Sequence, residues 1–117
     1  MNIEAKIVSY LNENGFETYA DVPNPRPKAF VTVERTGGTS DSVVLDRPTV
    51  AVQAWAATRY EASELMLAVD ACMAEIATES DVTSCRRNSM YNYPDGSQAR
   101  YQAVYDLVTY KGVKNNG

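Results

Sequence analysis

Residues 49–56, together with the apolar pattern over 62–76, constrain this fold more than any other stretch. Thr49-Val50-Ala51-Val52-Gln53-Ala54-Trp55-Ala56 is extended in character, rich in β-branched side chains and holding the only tryptophan. Shortly after it, Ala62, Leu65, Met66, Val69, Cys72, Met73 and Ile76 recur at steps of three and four, which places them on one stripe of a helix. Thr58 stands where an N-cap hydroxyl accepts from the third helical amide, and Glu61 where its carboxylate reaches back to the cap amide. Glu61, Glu64, Asp70 and Glu75 fall mostly off the stripe, where water solvates them. A strand turned tightly into an amphipathic helix that runs to Ile76 gives a sheet something to bury itself against.

The rest of the chain supplies the remaining strands. Ile3, Ile7 and Leu11 predict a short amphipathic helix over Asn2 to Asn14, stopped by Asn14-Gly15 because glycine accepts a left-handed conformation without strain. Phe16 to Val22 is an extended connection or an edge strand. Val22-Pro23-Asn24-Pro25-Arg26-Pro27 lacks three amide hydrogens and reads as a stiff polyproline-type segment, either a spacer or a ligand for an aromatic groove. Ala29 to Arg35 alternates as a strand. Thr36-Gly37-Gly38-Thr39-Ser40-Asp41-Ser42 is predicted to be a flexible loop, and its glycine pair lacks the Lys-Ser/Thr and the helix of a phosphate cradle. Val43 to Leu45 resumes as a short strand, and Asp46-Arg47-Pro48 turns the chain into the tryptophan strand. After a polar connection over 77–81, Val82 to Tyr93 and Gln98 to Lys111 form an antiparallel hairpin around Pro94-Asp95-Gly96. In its second strand Tyr101, Ala103, Tyr105 and Leu107 share a face. The expected fold is α+β: a mixed or mainly antiparallel sheet of four to five strands, with two helices packed chiefly on one face. One domain covers residues 1–112, and 113–117 form a frayed tail.

Composition narrows the function. At 117 residues with 44% hydrophobic side chains, the chain can bury a core without staples. Its net charge of −4 and pI near 4.7 argue against a binder held by nucleic-acid phosphates. No run approaches the roughly 18 apolar residues that span a bilayer, and the start has no signal-peptide pattern, so a cytoplasmic protein is expected. There is no histidine and only two cysteines, which leaves no Ser-His or Cys-His pair and no zinc set; neither an enzyme nor a cofactor is expected. Cys72, on the helix stripe, reads as a buried free thiol. Eight of the eleven aromatic residues are tyrosines, and Tyr91, Tyr93, Tyr101, Tyr105 and Tyr110 lie in the terminal hairpin. They either line a half-buried sheet or contribute to a subunit interface.

The order of elements resembles the tail terminator proteins of long-tailed bacteriophages over about 100 residues. The resemblance is carried by the Val22–Pro27 segment, the valine strand before Gly37-Gly38, and Asp46-Arg47-Pro48 leading into Val50-Ala51-Val52-Gln53-Ala54-Trp55-Ala56. The helix with its acidic first turn and the Arg100-Tyr101-Gln102-Ala103-Val104-Tyr105 strand also fit. It implies a structural virion protein, assembled in the host cytoplasm, that forms a ring, usually hexameric, on the head-proximal end of the tail tube. Such a ring ends tube growth, joins the tail to the neck proteins, and lets DNA pass without binding it specifically; it needs no cofactor. Other phage neck and head–tail completion proteins share the layout and form the alternative, followed by a small-molecule-binding α+β module. The candidate ring or partner contacts are Arg35, Gly37, Gly38, Thr39, Ser40, Asp41, Arg47, Tyr91 and Tyr93. Within them, residues 36–42 are expected to protrude and to order on a neighbour, with Arg35 and Arg47 pairing to its carboxylates. A plain connecting loop is the other reading.

Overall fold

The computed structural model describes residues 1–40 and 42–111. Gly112 and the predicted frayed tail lie outside the described residues, as does Asp41. Helix α1 (Ile3–Glu13) is followed by strands β1 (Thr18–Tyr19), β2 (Phe30–Thr39) and β3 (Leu45–Ala56), then helix α2 (Arg59–Met73), a 3-10 turn over Ile76–Thr78, and strands β4 (Val82–Asn92) and β5 (Ala99–Tyr110). The five strands form one sheet in the order β1-β2-β3-β5-β4, with β1 parallel to β2 and every other pair antiparallel. The fold is α+β with a mixed sheet and two helices, as the hydrophobic patterns imply.

The helix ends follow their local chemistry. The Asn2 side chain accepts from the Ala5 amide at the start of α1. At its end, Phe16 N donates to Leu11 O at 2.9 Å and Gly15 N to Asn12 O at 3.1 Å, with Gly15 at φ +93°. This pair of bonds is a Schellman closure, and it requires the positive φ that glycine takes freely. Thr58 caps α2 by accepting from the Glu61 amide at 3.1 Å. Helix α2 stops at Met73, short of the predicted end; Ile76 is buried from the 3-10 turn instead.

Alternation in the strands sorts their side chains onto two faces. Val31, Val33, Val50, Val52, Ala54, Ala103, Tyr105 and Leu107 turn to the side where Ile7, Leu11, Met66, Val69 and Met73 pack, and all of these are buried in one core. Leu65 and Cys72, expected in the same stripe, are only partly buried at its margin. Both cysteines are free thiols. The hydroxyl of Tyr10 donates to Cys72 O at 2.7 Å and ties α1 to α2. Asn12 holds β1 by bonding both Thr18 N and Thr18 O at 3.0 Å.

Two expectations need correction. Residues 36–39 are not loop: they continue β2, pairing Gly37 with Thr49, Gly38 with Pro48 and Thr39 with Arg47 after a bulge at Thr36. Asp46-Arg47-Pro48 is likewise no turn, because β3 runs unbroken from Leu45. Polar and glycine composition suggested loop, but cross-strand pairing overrides that weak preference. Pro48 is accommodated because the ladder to β5 skips from Asp46↔Thr109 to Thr49↔Asp106, so no amide hydrogen is needed at Pro48. Val43 and Val44 precede the strand and are 90% and 57% exposed.

Candidate functional site

Two surfaces collect the polar and exposed residues that the core does not use. The first is the outer edge of β2. Strand β1 pairs with β2 only at Val31 and Thr32, and Glu34 to Thr39 are all exposed. Beyond Thr32, among the described residues, this is an open sheet edge, a row of backbone groups that another chain can pair with. One of its amides is capped: Arg35 N donates to the Glu4 carboxylate at 2.7 Å.

Within that edge, the Arg35 side chain is engaged inside the protomer and not held out for a partner. Its Nη1 and Nη2 donate to the two Asp46 carboxylate oxygens at 3.0 and 3.3 Å, and its Nε to Gly37 O at 3.0 Å. This bidentate clamp, rather than an intermolecular pair, is where the fork geometry of the guanidinium is used. The Arg35 bond holds the Asp46 carboxyl below its ordinary range, with the Arg47 amide also contributing. Gly38 has φ +118°, and a Cβ there would meet Arg47 O at 2.3 Å and Pro48 Cα at 2.7 Å. A Cβ at Gly37 would meet nothing within 4 Å. Thr39, Ser40 and Arg47 are exposed at the same end of the sheet.

The second surface is the sheet face turned away from the helices. Among the described residues no helix packs on it. Two rows of side chains cross it. Phe30, Trp55 and Arg100 are register partners: the Phe30 and Trp55 rings stack at 5.3 Å, and the Arg100 guanidinium lies 4.7 Å from the Trp55 ring and 4.5 Å from that of Tyr93. Arg26, from the proline-rich segment, lies 5.1 Å from the same Trp55 ring. The proline segment is therefore a strap across the tryptophan end of this face.

The neighbouring row is a hydrogen-bonded chain. Trp55 Nε1 donates to Thr32 Oγ1 at 3.0 Å, Thr32 Oγ1 to Gln53 Oε1 at 2.7 Å, Gln53 Nε2 to Gln102 Oε1 at 2.6 Å, and Gln102 Nε2 to Tyr91 Oη at 2.5 Å. Thr32, Gln53 and Gln102 are buried, so each bond spares a desolvated polar group from standing alone. A cavity of about 620 Å3 opens between strap and sheet, with Trp55, Gln53, Arg26 and Arg100 in its lining and Glu34 and Asp95 beside them. A second hollow of about 460 Å3 lies at the other end of the face, among Arg47, Thr49, Arg86, Asp106 and Val108.

The candidate contacts thus separate. Tyr91 and Tyr93 sit at the strap end, packed edge to face at 5.8 Å; the 35–47 group sits at the other. Thr32 and Thr39 mark the two ends on β2, seven residues or ~23 Å apart at the usual rise of a strand. The residues that sequence reasoning missed are Arg26, Gln53, Arg100 and Gln102. For three of them the signal was the parity of β3 and β5, where Gln53 with Trp55, and Arg100 with Gln102, alternate against the apolar positions; Arg26 lies outside any strand and carried no such signal.

On the helix side, Tyr105 Oη donates to Asp70 Oδ1 at 2.7 Å and Arg87 Nη1 to Asp70 Oδ2 at 3.0 Å. Burial first, then the Asp70 bond, pushes the Tyr105 hydroxyl far above its ordinary value. Burial likewise pushes the Cys85 thiol up to about 12. Among the described residues no group of three or more metal-ligating side chains comes together. No protein-family model matches this chain, and no curated protein matches it either.

Proposed function

We propose that this chain is a structural virion protein that forms a ring, hexameric as in the family it resembles, on the head-proximal end of a phage tail tube. There it ends tube growth and joins the tail to the neck proteins, with DNA passing through unbound. The observation that carries this reading is the open β2 edge from Glu34 to Thr39, continued by exposed Val43 and Val44. A long uncovered edge with apolar residues beside it is a liability in a free chain and an asset in an assembly, where it pairs with a neighbour. The contacts proposed for that edge are Gly37, Thr39, Ser40 and Arg47, with Gly38 and Arg35 shaping it from within; Asp41 lies beside them in sequence. Another neck or head–tail completion protein would use the same edge, and the distinction lies in which structure is capped.

The test is tube growth. Tail tube protein polymerising with this chain present should stop at a shorter mean length, read from electron micrographs. Tubes that grow to the same length with and without it would contradict a terminator.

The cavity of about 620 Å3 over Trp55 favours a second reading, small-molecule binding, since its size suits a ligand pocket. Saturable quenching of the fluorescence of Trp55 by a metabolite would support that reading instead.

A further inference from the structure

We propose that Glu4 is a removable guard on the β2 edge: its carboxylate occupies the backbone donor that an added strand needs, and a neighbour's strand enters only when Glu4 swings away. The guard rests on the ring reading for the identity of that neighbour, a second copy of this chain.

The direction of the backbone groups defines the guarded position. Val31 N donates to Glu17 O at 2.8 Å, on the β1 side. Backbone groups alternate along a strand as side chains do, so Val33 and Arg35 turn theirs the same way, outward from β3. Strand β1 reaches only to Tyr19, opposite Thr32. A strand added beyond it pairs with Val33 and Arg35, before the bulge at Thr36 breaks the alternation. Arg35 N is the donor that such a strand needs, and it is the amide on which Glu4 Oε2 sits at 2.7 Å.

Only this bond holds the Glu4 carboxylate. The Arg35 guanidinium is committed to Asp46 and to Gly37 O. Among the described residues Glu4 makes no ion pair and has no other hydrogen-bond partner. A carboxylate on a backbone amide is a charge-assisted bond, stronger than a neutral one, yet a side-chain rotation releases it. The helix itself need not move. Ile3 and Ile7 are buried on the same helix, and the Asn2 side chain caps its first turn through Ala5 N. In either position Glu4 remains in that first turn, where a carboxylate suits the helix N-terminus.

The surrounding space fits the movement. Two hollows, of about 620 and 490 Å3, are both lined by Glu4 and Arg35. The larger continues along Val33 to Asp21, where the chain has left β1, and the smaller runs to Met1 and Asn2. The Glu4–Arg35 contact is the partition between them, and opening it joins the two into one track along β2.

Topology supplies the entering strand. Strand β4 is outermost at the opposite end of the sheet, and among the described residues no strand pairs on its outer side. Each copy therefore has one edge to receive and one to offer. Pairing β4 of one copy with β2 of the next is a heterologous contact, the kind that closes into a ring when the rotation per copy allows. An open edge pairs indiscriminately unless a charge or a cover protects it, and Glu4 supplies that protection until the neighbour arrives.

The test compares wild type, Glu4→Ala and Glu4→Gln as full chains, by residue-resolved amide exchange at micromolar concentration and by sedimentation up to millimolar. In the dilute Ala variant the Arg35 amide should exchange roughly tenfold or more faster than in wild type. Val52 and Ala103 should stay as protected as before, which shows that the variant is folded. The Ala variant should also associate roughly tenfold or more tightly than wild type, and its Val33 and Arg35 amides should gain protection as it does. The Gln variant keeps an uncharged acceptor and should fall between the two; if the Ala variant is unfolded, the Gln variant is held to the same outcomes. An Arg35 amide that exchanges equally fast with and without the carboxylate would overturn the guard. So would association no tighter than that of wild type, or association that leaves Val33 and Arg35 unprotected. Tube growth judges the ring reading separately. If Glu4→Ala associates through the edge while neither protein shortens tubes, the guard stands and the terminator reading falls. If wild type shortens tubes and Glu4→Ala gains no association, the guard falls and the terminator reading stands.

Discussion

Gly37 and Gly38 are neighbours of identical composition with different duties. Only Gly38 is in the left-handed region and pressed against the β3 backbone. Gly38→Ala should therefore cost at least about 1–2 kcal/mol, from the penalty of a left-handed alanine alone, while Gly37→Ala should leave the melting temperature nearly unchanged. Equal melting temperatures for the two variants would show that the close approach to Arg47 and Pro48 is not there. A second residue-scale expectation concerns Cys85. With its thiol raised to about 12 by burial, almost none is thiolate at pH 8, and only the thiolate reacts. In a Cys72→Ser background, Cys85 should react with a disulfide reagent many times more slowly in native than in denaturing buffer. Similar rates would mean that the thiol is open to water.

Helix α2 and the β2–β3 hairpin show what an element's sequence does and does not disclose. The α2 stripe was legible because its apolar positions meet a complete sheet face: Met66, Val69 and Met73 are wholly buried. Met66→Ala should cost about 2–5 kcal/mol in denaturant unfolding, and Leu65→Ala clearly less because Leu65 is only partly covered. Comparable losses from both would place the helix in a different rotation. The hairpin was misread because Thr, Gly and Ser look like loop, whereas pairing with β3 and the Arg35–Asp46 clamp make residues 36–39 strand. The parity of Gln53 and Gln102 was visible, but nothing in one strand says which strand lies beside it, so their bond could not be read. The clamp carries a pH expectation. Asp46 has a depressed folded value, so its contribution is present above the ordinary carboxylate range and is lost as pH falls through the folded value. Amide exchange at Gly37 and Thr39 should quicken below about pH 4 beyond the intrinsic pH trend, and the Asp46→Asn variant should lack that transition. Identical profiles for the two proteins would mean that the clamp does not hold the edge.

For the whole molecule, 47 × 25 × 23 Å in extent, the decisive property is two-sidedness. One face of the sheet is spent on a helix layer. Among the described residues, the other is closed by its own side chains, the glutamine row and the proline strap. On that second face Arg26, Arg47, Arg86 and Arg100 stand among Glu34, Asp95 and Asp106. A protein with a helix-covered face, a face without helices and an open β2 edge is suited to pairing with neighbours, as the proposed ring subunit requires. The measurement that bears most directly on this is electron microscopy of tail tubes incubated with gold-labelled chain. The account predicts a single ring of label at one end of each tube and none along its length. Label scattered along the tube walls, or absent from the tubes, would contradict it.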